Sequence, residues 1–134
     1  MYGKKSLDGY YFRTTGFYIF HIPVKVPYKE IYALADRSGV KQKVQFGPIL
    51  EWSKMFGVGH IGVEIERPTN DRKDVVKVMG TYDMYEHKGP YKTLGKAYKK
   101  IMKEKPKFKE CLNLYLDDPA KVPPEQCRTQ ILFK

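Results

Sequence analysis

Lys-Val-Pro-Tyr-Lys at Lys25–Lys29 and Lys-Gly-Pro-Tyr-Lys at Lys88–Lys92 are two forms of one phrase, set close to half the chain length apart in a protein of 134 residues. Each follows a strand-like run and opens a helix-like one, so the pair reads as the same joint in a duplicated module. Upstream of the first copy, Phe17–Val24 (FYIFHIPV) has the aromatic and β-branched character of a strand. Pro27 then occupies a first helical turn, where its missing N–H has no intrahelical partner. Tyr28, Ile31, Tyr32 and Ala35 continue at helical spacing to a stop at Ser38-Gly39. Two strands are expected next, near Lys43–Leu50 and His60–Glu66, before the turn-rich stretch Pro68–Asp74 (PTNDRKD).

The second copy repeats the plan. Val75–His87 supplies a strand, or a bent pair hinged near Gly80; Pro90 opens a helix and Lys105-Pro106 ends it. Cys111–Leu116 alternates with period two, placing Leu112, Leu114 and Leu116 on one face and Asn113 and Tyr115 on the other. We expect the leucine face to meet the helices, and Asn113 and Tyr115 to look toward the open side of the sheet where the modules meet. A Pro-rich turn, Asp117–Gln126, leads to a closing strand at Cys127–Phe133. The fold class is therefore α+β, a single domain over residues 1–134 made of two pseudo-symmetric strand-helix-strand-strand modules, about 17–67 and 75–134. Its sheet is largely antiparallel, with two main helices on one face and a central groove.

Composition narrows the function classes. With 42% hydrophobic and 14% aromatic residues, the chain suits one compact core. The longest apolar run, Phe17–Val24, is interrupted by His21 and Pro23 and is far short of the ~20 residues of a membrane-spanning helix. Met1–Tyr10 has no apolar leader region, so the expected compartment is the cytoplasm and no membrane partner is expected. The net charge of +10 is concentrated between Lys88 and Lys109, where nine of the 25 basic residues fall. All nine are lysines, around an apolar face of Tyr91, Leu94, Tyr98, Ile101 and Met102. Without arginine forks or interleaved stacking aromatics, no specific nucleic-acid partner is expected. Cys111 and Cys127 would begin neighbouring strands at opposite ends of a hairpin and so read as two thiols. His21, His60 and His87 have no metal-ligand spacing, and neither a metal nor a cofactor is expected.

His87–Tyr91 (HKGPY), Leu114–Pro119 (LYLDDP), Val122–Glu125 (VPPE) and Gly59–Pro68 (GHIGVEIERP), in that relation, resemble a GyrI-like or bacterial effector-binding domain. Pro123–Arg128 (PPEQCR) is similar to the related domain of a eukaryotic endoplasmic-reticulum autophagy receptor. The resemblance covers the chain from about Phe17 onward. It implies an aromatic groove on the pseudo-two-fold axis that accepts small hydrophobic or aromatic compounds, often cations, and a stand-alone sensor or sequestering protein. Two alternatives stay open: a hydrolase of strained, cyclopropane-bearing electrophiles, and a module that binds a protein partner through the same groove.

In drug-sensing members a glutamate two residues before the LYL-type tyrosine faces the bound cation, and that position here is Asn113. An amide can neither pair with a cation nor act as a base at neutral pH. A carboxylate could reach the groove from another strand, and Glu86, on the face of Met84, and Glu64, opposite Val63 and Ile65, are the candidates. These two would be the catalytic groups if the protein were an enzyme. The alternative for each is an exposed edge carboxylate paired with a lysine. Tyr28 and Tyr91 would flank the axis as an aromatic clamp or simply pack at helix starts. Trp52 would form a groove wall or cap the core. The candidate ligand-binding set is Tyr28, Trp52, Glu64, Met84, Glu86, Tyr91, Asn113 and Tyr115.

Overall fold

The first strand is far longer than its sequence suggests. In the computed structural model, which describes residues 2–105 and 110–134, β1 runs unbroken over Tyr2–Ile19. The expected strand at Phe17–Val24 is instead the end of β1, a two-residue turn at Phe20-His21, and the short β2, Ile22–Lys25. The chain continues through α1 (Ile31–Arg37), β3 (Ile49–Trp52) and β4 (Phe56–Ile65) to β5 (Val75–Lys88). It ends with α2 (Leu94–Glu104), β6 (Cys111–Tyr115) and β7 (Arg128–Phe133). Lys43–Pro48, expected to lie in a strand, is a loop; Gln42 just before it bridges to Ile65, and Lys43 meets Glu64 of β4 through its N–H and its ammonium. Pro106, the expected stop of the second helix, lies outside the described residues, and α2 ends at Glu104.

Pro90 opens a 3-10 turn, Tyr91–Thr93, that runs straight into α2, whereas Pro27 is followed by a plain turn before α1, yet the two phrases share their spacing. Ile31 starts α1 four residues after Pro27, and Leu94 starts α2 four residues after Pro90. In each turn the proline carbonyl accepts a hydrogen bond from the N–H three residues on, Glu30 to Pro27 at 3.2 Å and Thr93 to Pro90 at 3.0 Å. A positive φ at Gly39 releases the chain after α1, a backbone state that costs glycine nothing.

All seven strands pair antiparallel in the order β2-β1-β4-β3-β6-β7-β5. β1 also pairs with β5, so six strands form a closed circuit with β2 attached outside it. The length of β1 makes closure possible, because its first half binds β5, its second half binds β4, and Tyr10–Phe12 bind both. Leu7, Tyr11, Leu50, Val78, Tyr82, Leu112, Leu114 and Leu132 fill the interior of this curved sheet. The helices lie outside it. Ile31 and Ala35 of α1 pack on Phe12, Ile61, Val63 and Ile65. Leu94, Ala97 and Ile101 of α2 pack on Ile131 and Phe133.

This arrangement reverses the expected facing of β6. Leu112 and Leu114 point into the closed sheet, away from both helices, while Asn113 and Tyr115 lie on the helix-covered face. The alternation was legible, but a strand buried on both sides gives each face a cover of its own. Closure through β1 and β5 supplied the leucines with apolar partners that did not come from a helix.

No helix among the described residues is long and apolar enough to cross a membrane. Gly59 on β4 is a packing requirement, since a Cβ there would collide with the carbonyl oxygen of Trp52 and with the ring of Tyr18. Gly95, in the first turn of α2, faces open space. Gly59→Ala should therefore cost about 1–3 kcal/mol in urea unfolding, the usual range for overpacking. Gly95→Ala should be neutral or stabilising by up to about 1 kcal/mol, because glycine loses more backbone entropy in a helix.

Candidate functional site

β3 is a four-residue strand, Ile-Leu-Glu-Trp, whose alternation sends Leu50 and Trp52 into the closed sheet and Glu51 out beneath the helices. Glu51 stands between Ile61 on β4 and Asn113 on β6, near the middle of the sheet. It is only 2% exposed. Tyr18 from β1 donates its hydroxyl to Oε2 at 2.9 Å, and Tyr28, just before α1, donates to the same oxygen. Oε1 accepts from the Tyr115 hydroxyl at 2.5 Å and from Nδ2 of Asn113 at 3.1 Å. Asn113, itself 4% exposed, accepts at Oδ1 from the hydroxyl of Tyr98 on α2. One network thus joins β1, β3, β6 and both helical segments.

Every direct partner of Glu51 is a neutral donor, and among the described residues it makes no ion pair within 4.0 Å. Four donors match the acceptor capacity of one ionised carboxylate. Burial, and then the Glu51 charge, push the phenols of Tyr18, Tyr28 and Tyr115 well above their ordinary range. Tyr98 is raised first by burial, then by Cys111 and Glu51. These side chains are therefore held as O–H donors at neutral pH. Tyr91 is not bonded to Glu51; it packs edge-on against Tyr115 at 5.3 Å and donates to the Asp117 carbonyl at 2.9 Å. Tyr28 meets Tyr115 edge-on at 6.1 Å, so Tyr28 and Tyr91 both bear on that one ring.

Four of the residues singled out from sequence, Tyr28, Tyr91, Asn113 and Tyr115, come together here. The other four do not. Asn113 pairs with Ile131, which pairs with Tyr85, so position 85 and not 86 shares its face. Glu86 points to the opposite side, exposed, where Gln130 donates to it at 3.2 Å. Met84 packs at the margin of the interior leucines. Trp52 lies against the same cluster, edge-on to Tyr11 at 6.3 Å with the Arg13 guanidinium 5.5 Å from its ring centre. Glu64 borders a shallow surface depression with Asp8, Gly9 and Lys43, and pairs with Lys43 at 3.3 Å.

Glu51, Tyr18 and Tyr98 were missed by the sequence reading. Tyr98 does lie on the apolar face of α2 and Tyr18 in an aromatic strand, β1, as the sequence pattern implies, but neither pattern points to a carboxylate. The available signal was Glu51 itself, a lone carboxylate inside a four-residue apolar strand. Its depth depends on β4 and β6 flanking β3, and pairing partners are not written in one strand. No cluster of three or more potential metal ligands occurs among the described residues. No family model matches the sequence, and no curated protein matches it.

Two measurements probe this network. Asn113→Asp would set a second carboxylate against Glu51, so one of the pair would hold a proton, its pKa raised in the folded state. Stability linked to such a group is present below its unfolded pKa and lost as pH rises through the folded value. The variant should thus be weaker than wild type by about 2–4 kcal/mol near pH 8 and recover most of the difference only as pH falls to about 4, the range of an unfolded carboxyl. In the wild-type protein the same sign rule applies to the phenols of Tyr18, Tyr28, Tyr98 and Tyr115. Stability should fall as pH climbs above about 10. The last rise in tyrosinate absorbance should coincide with loss of circular dichroism, not precede it.

Proposed function

We propose that this protein binds a small aromatic cation at Glu51, between the segments that carry α1 and α2, in the manner of a GyrI-like sensor or sequestering protein. The single observation carrying the proposal is a buried carboxylate without a cationic partner among the described residues, in a chain of net charge +10. With 25 basic residues to draw on, a purely structural carboxylate would pair with one of them or give way to an apolar residue. The carboxylate absent from position 113 is supplied by β3 and held there by Asn113 itself.

Two features support the duplicated-module reading. Strand order runs β1-β4-β3 and then β6-β7-β5, the same sequence of places from either end, and both helices start at one spacing from their prolines. Tyr28, Tyr91 and Tyr115 supply aromatic faces that attract a delocalised cation. Because Glu51 is closed over, the ligand is admitted by displacing phenols, with Tyr28 the best placed since it lies in the turn between β2 and α1. A second reading has the same carboxylate act as a general base beside tyrosine acids in a hydrolase, with Glu51 in place of the half-buried Glu64 and the exposed Glu86.

Titration with a lipophilic aromatic cation and a neutral analogue of the same shape tests the proposal. The cation should bind more tightly, and raising salt should not weaken it, because screening relieves repulsion by the protein's net positive charge. Glu51→Gln should lower cation affinity by about tenfold or more, and it should also cost about 1–3 kcal/mol of stability, because the amide sets an NH2 donor where a carboxylate oxygen accepts two hydrogen bonds; the titration is therefore made at a temperature where circular dichroism shows the variant folded. Equal binding of cation and neutral analogue, or full retention by Glu51→Gln, would sink the proposal. Turnover of a strained electrophile that disappears in Glu51→Gln would favour the hydrolase.

A further inference from the structure

The turn between β1 and β2 and the loop between β3 and β4 form one exposed apolar tip. Phe20 and Phe56 are each 73% exposed, and Ile22, Met55 and Val58 are more than half exposed. They are contiguous: Phe56 pairs with Ile19, which pairs with Ile22, and Phe17 pairs with Val58 and meets the Phe56 ring at 5.8 Å. Single exposed apolar residues are ordinary on protein surfaces, whereas a contiguous aromatic patch marks an interaction site.

The turn is built at a cost to itself. Phe20 and His21 both have positive φ, 51° and 61°. Two-residue hairpin turns of this kind favour Asn-Gly because bulky residues are strained there. Here an aromatic side chain takes that position and projects from the end of the molecule. The polar backbone of the tip is nevertheless satisfied internally. The Phe20 N–H donates to the Met55 carbonyl, the His21 N–H donates to the Lys54 carbonyl at 3.0 Å, and His21 Nδ1 and Ser53 Oγ are 2.9 Å apart. Such a tip can lose its water without orphaning these groups.

Charge selects the occupant. From Gly9 to Lys29 and from Trp52 to Val63 there is no aspartate or glutamate, while Arg13, Lys25, Lys29 and Lys54 all lie in these segments. Aromatic residues at the point with lysines behind them complement an anionic lipid surface. A second copy adding to the free edge of β2 fits less well, because Pro23 lacks a donor and blunts that edge. We propose that this tip docks the protein on an anionic membrane surface, with Phe20 and Phe56 in the interfacial layer and Lys25 and Lys54 at the headgroups.

Co-sedimentation of the full chain with vesicles of phosphatidylcholine, with and without about 30% phosphatidylserine, tests this near physiological salt. Binding should require the anionic lipid. Phe20→Ser with Phe56→Ser should weaken it by about tenfold or more, and Lys25→Ala with Lys54→Ala by a similar factor. Both double variants alter exposed positions and should melt as wild type does. Phe20→Trp should show a blue-shifted emission on binding and be quenched by brominated acyl chains. Glu51→Gln should bind vesicles normally, which separates this result from the fate of the proposed ligand site. Absence of vesicle binding, or binding indifferent to the Phe20 and Phe56 changes, would overturn the proposal. So would a wild-type dimer that the Phe20 and Phe56 changes convert to monomer.

Discussion

β1 is hydrogen-bonded on both edges over Tyr10–Phe12, to β4 on one side and to β5 on the other, and this double pairing closes the sheet. The rest of the architecture follows from it. A closed sheet has an inside, so the leucines of β3, β6 and β7 pack on Leu7, Tyr11, Val78 and Tyr82. Both helices are then left to cover the outside, where Glu51 and Asn113 lie side by side. Closure gives every strand of the circuit a partner on both sides over part of its length, while β2, attached outside the circuit, pairs with β1 alone, and there Pro23 reduces the capacity to recruit another strand.

Glu51 is tolerated in that position by a near balance of opposed terms. Moving a carboxylate from water into a protein interior costs several kcal/mol even after relaxation. Each hydrogen bond to a charged group returns about 1.5–3 kcal/mol, and Glu51 accepts four. The sum comes close to cancelling without an ion pair, and the net positive charge of the protein favours an anion further. The phenols bear part of the burden: they must remain protonated, and their raised pKa values are the other side of the same interaction. Because the donors are neutral, a cation reaching Glu51 would meet an unneutralised charge. A lysine or arginine in their place would already have occupied it.

Apolar surface is distributed unevenly around this frame. The body of the protein covers its leucines and isoleucines, while the turn at Phe20-His21 and the loop carrying Met55 and Phe56 leave aromatic and aliphatic groups in water. Strain at the turn and exposure at its end run against what folding alone favours. Local conflicts of this kind mark places where a sequence serves something besides its own stability.

The amino-acid sequence by itself determined the α+β class, the two helices, the turn-rich connections and the period-two faces of β4, β5 and β6. These rest on spacing and turn chemistry, which act within a few residues. It also singled out Tyr28, Tyr91, Asn113 and Tyr115, which the structure gathers around one carboxylate. Tertiary structure alone decided which face of β6 the helices cover, that β1 extends back to Tyr2, and that the carboxylate beside Asn113 is Glu51 while Glu86 and Glu64 point elsewhere. The physical reason is register. A strand's alternation defines two faces, but which residue of a neighbouring strand shares a face depends on cross-strand pairing, and moving that pairing by one residue exchanges every side chain between the two sides.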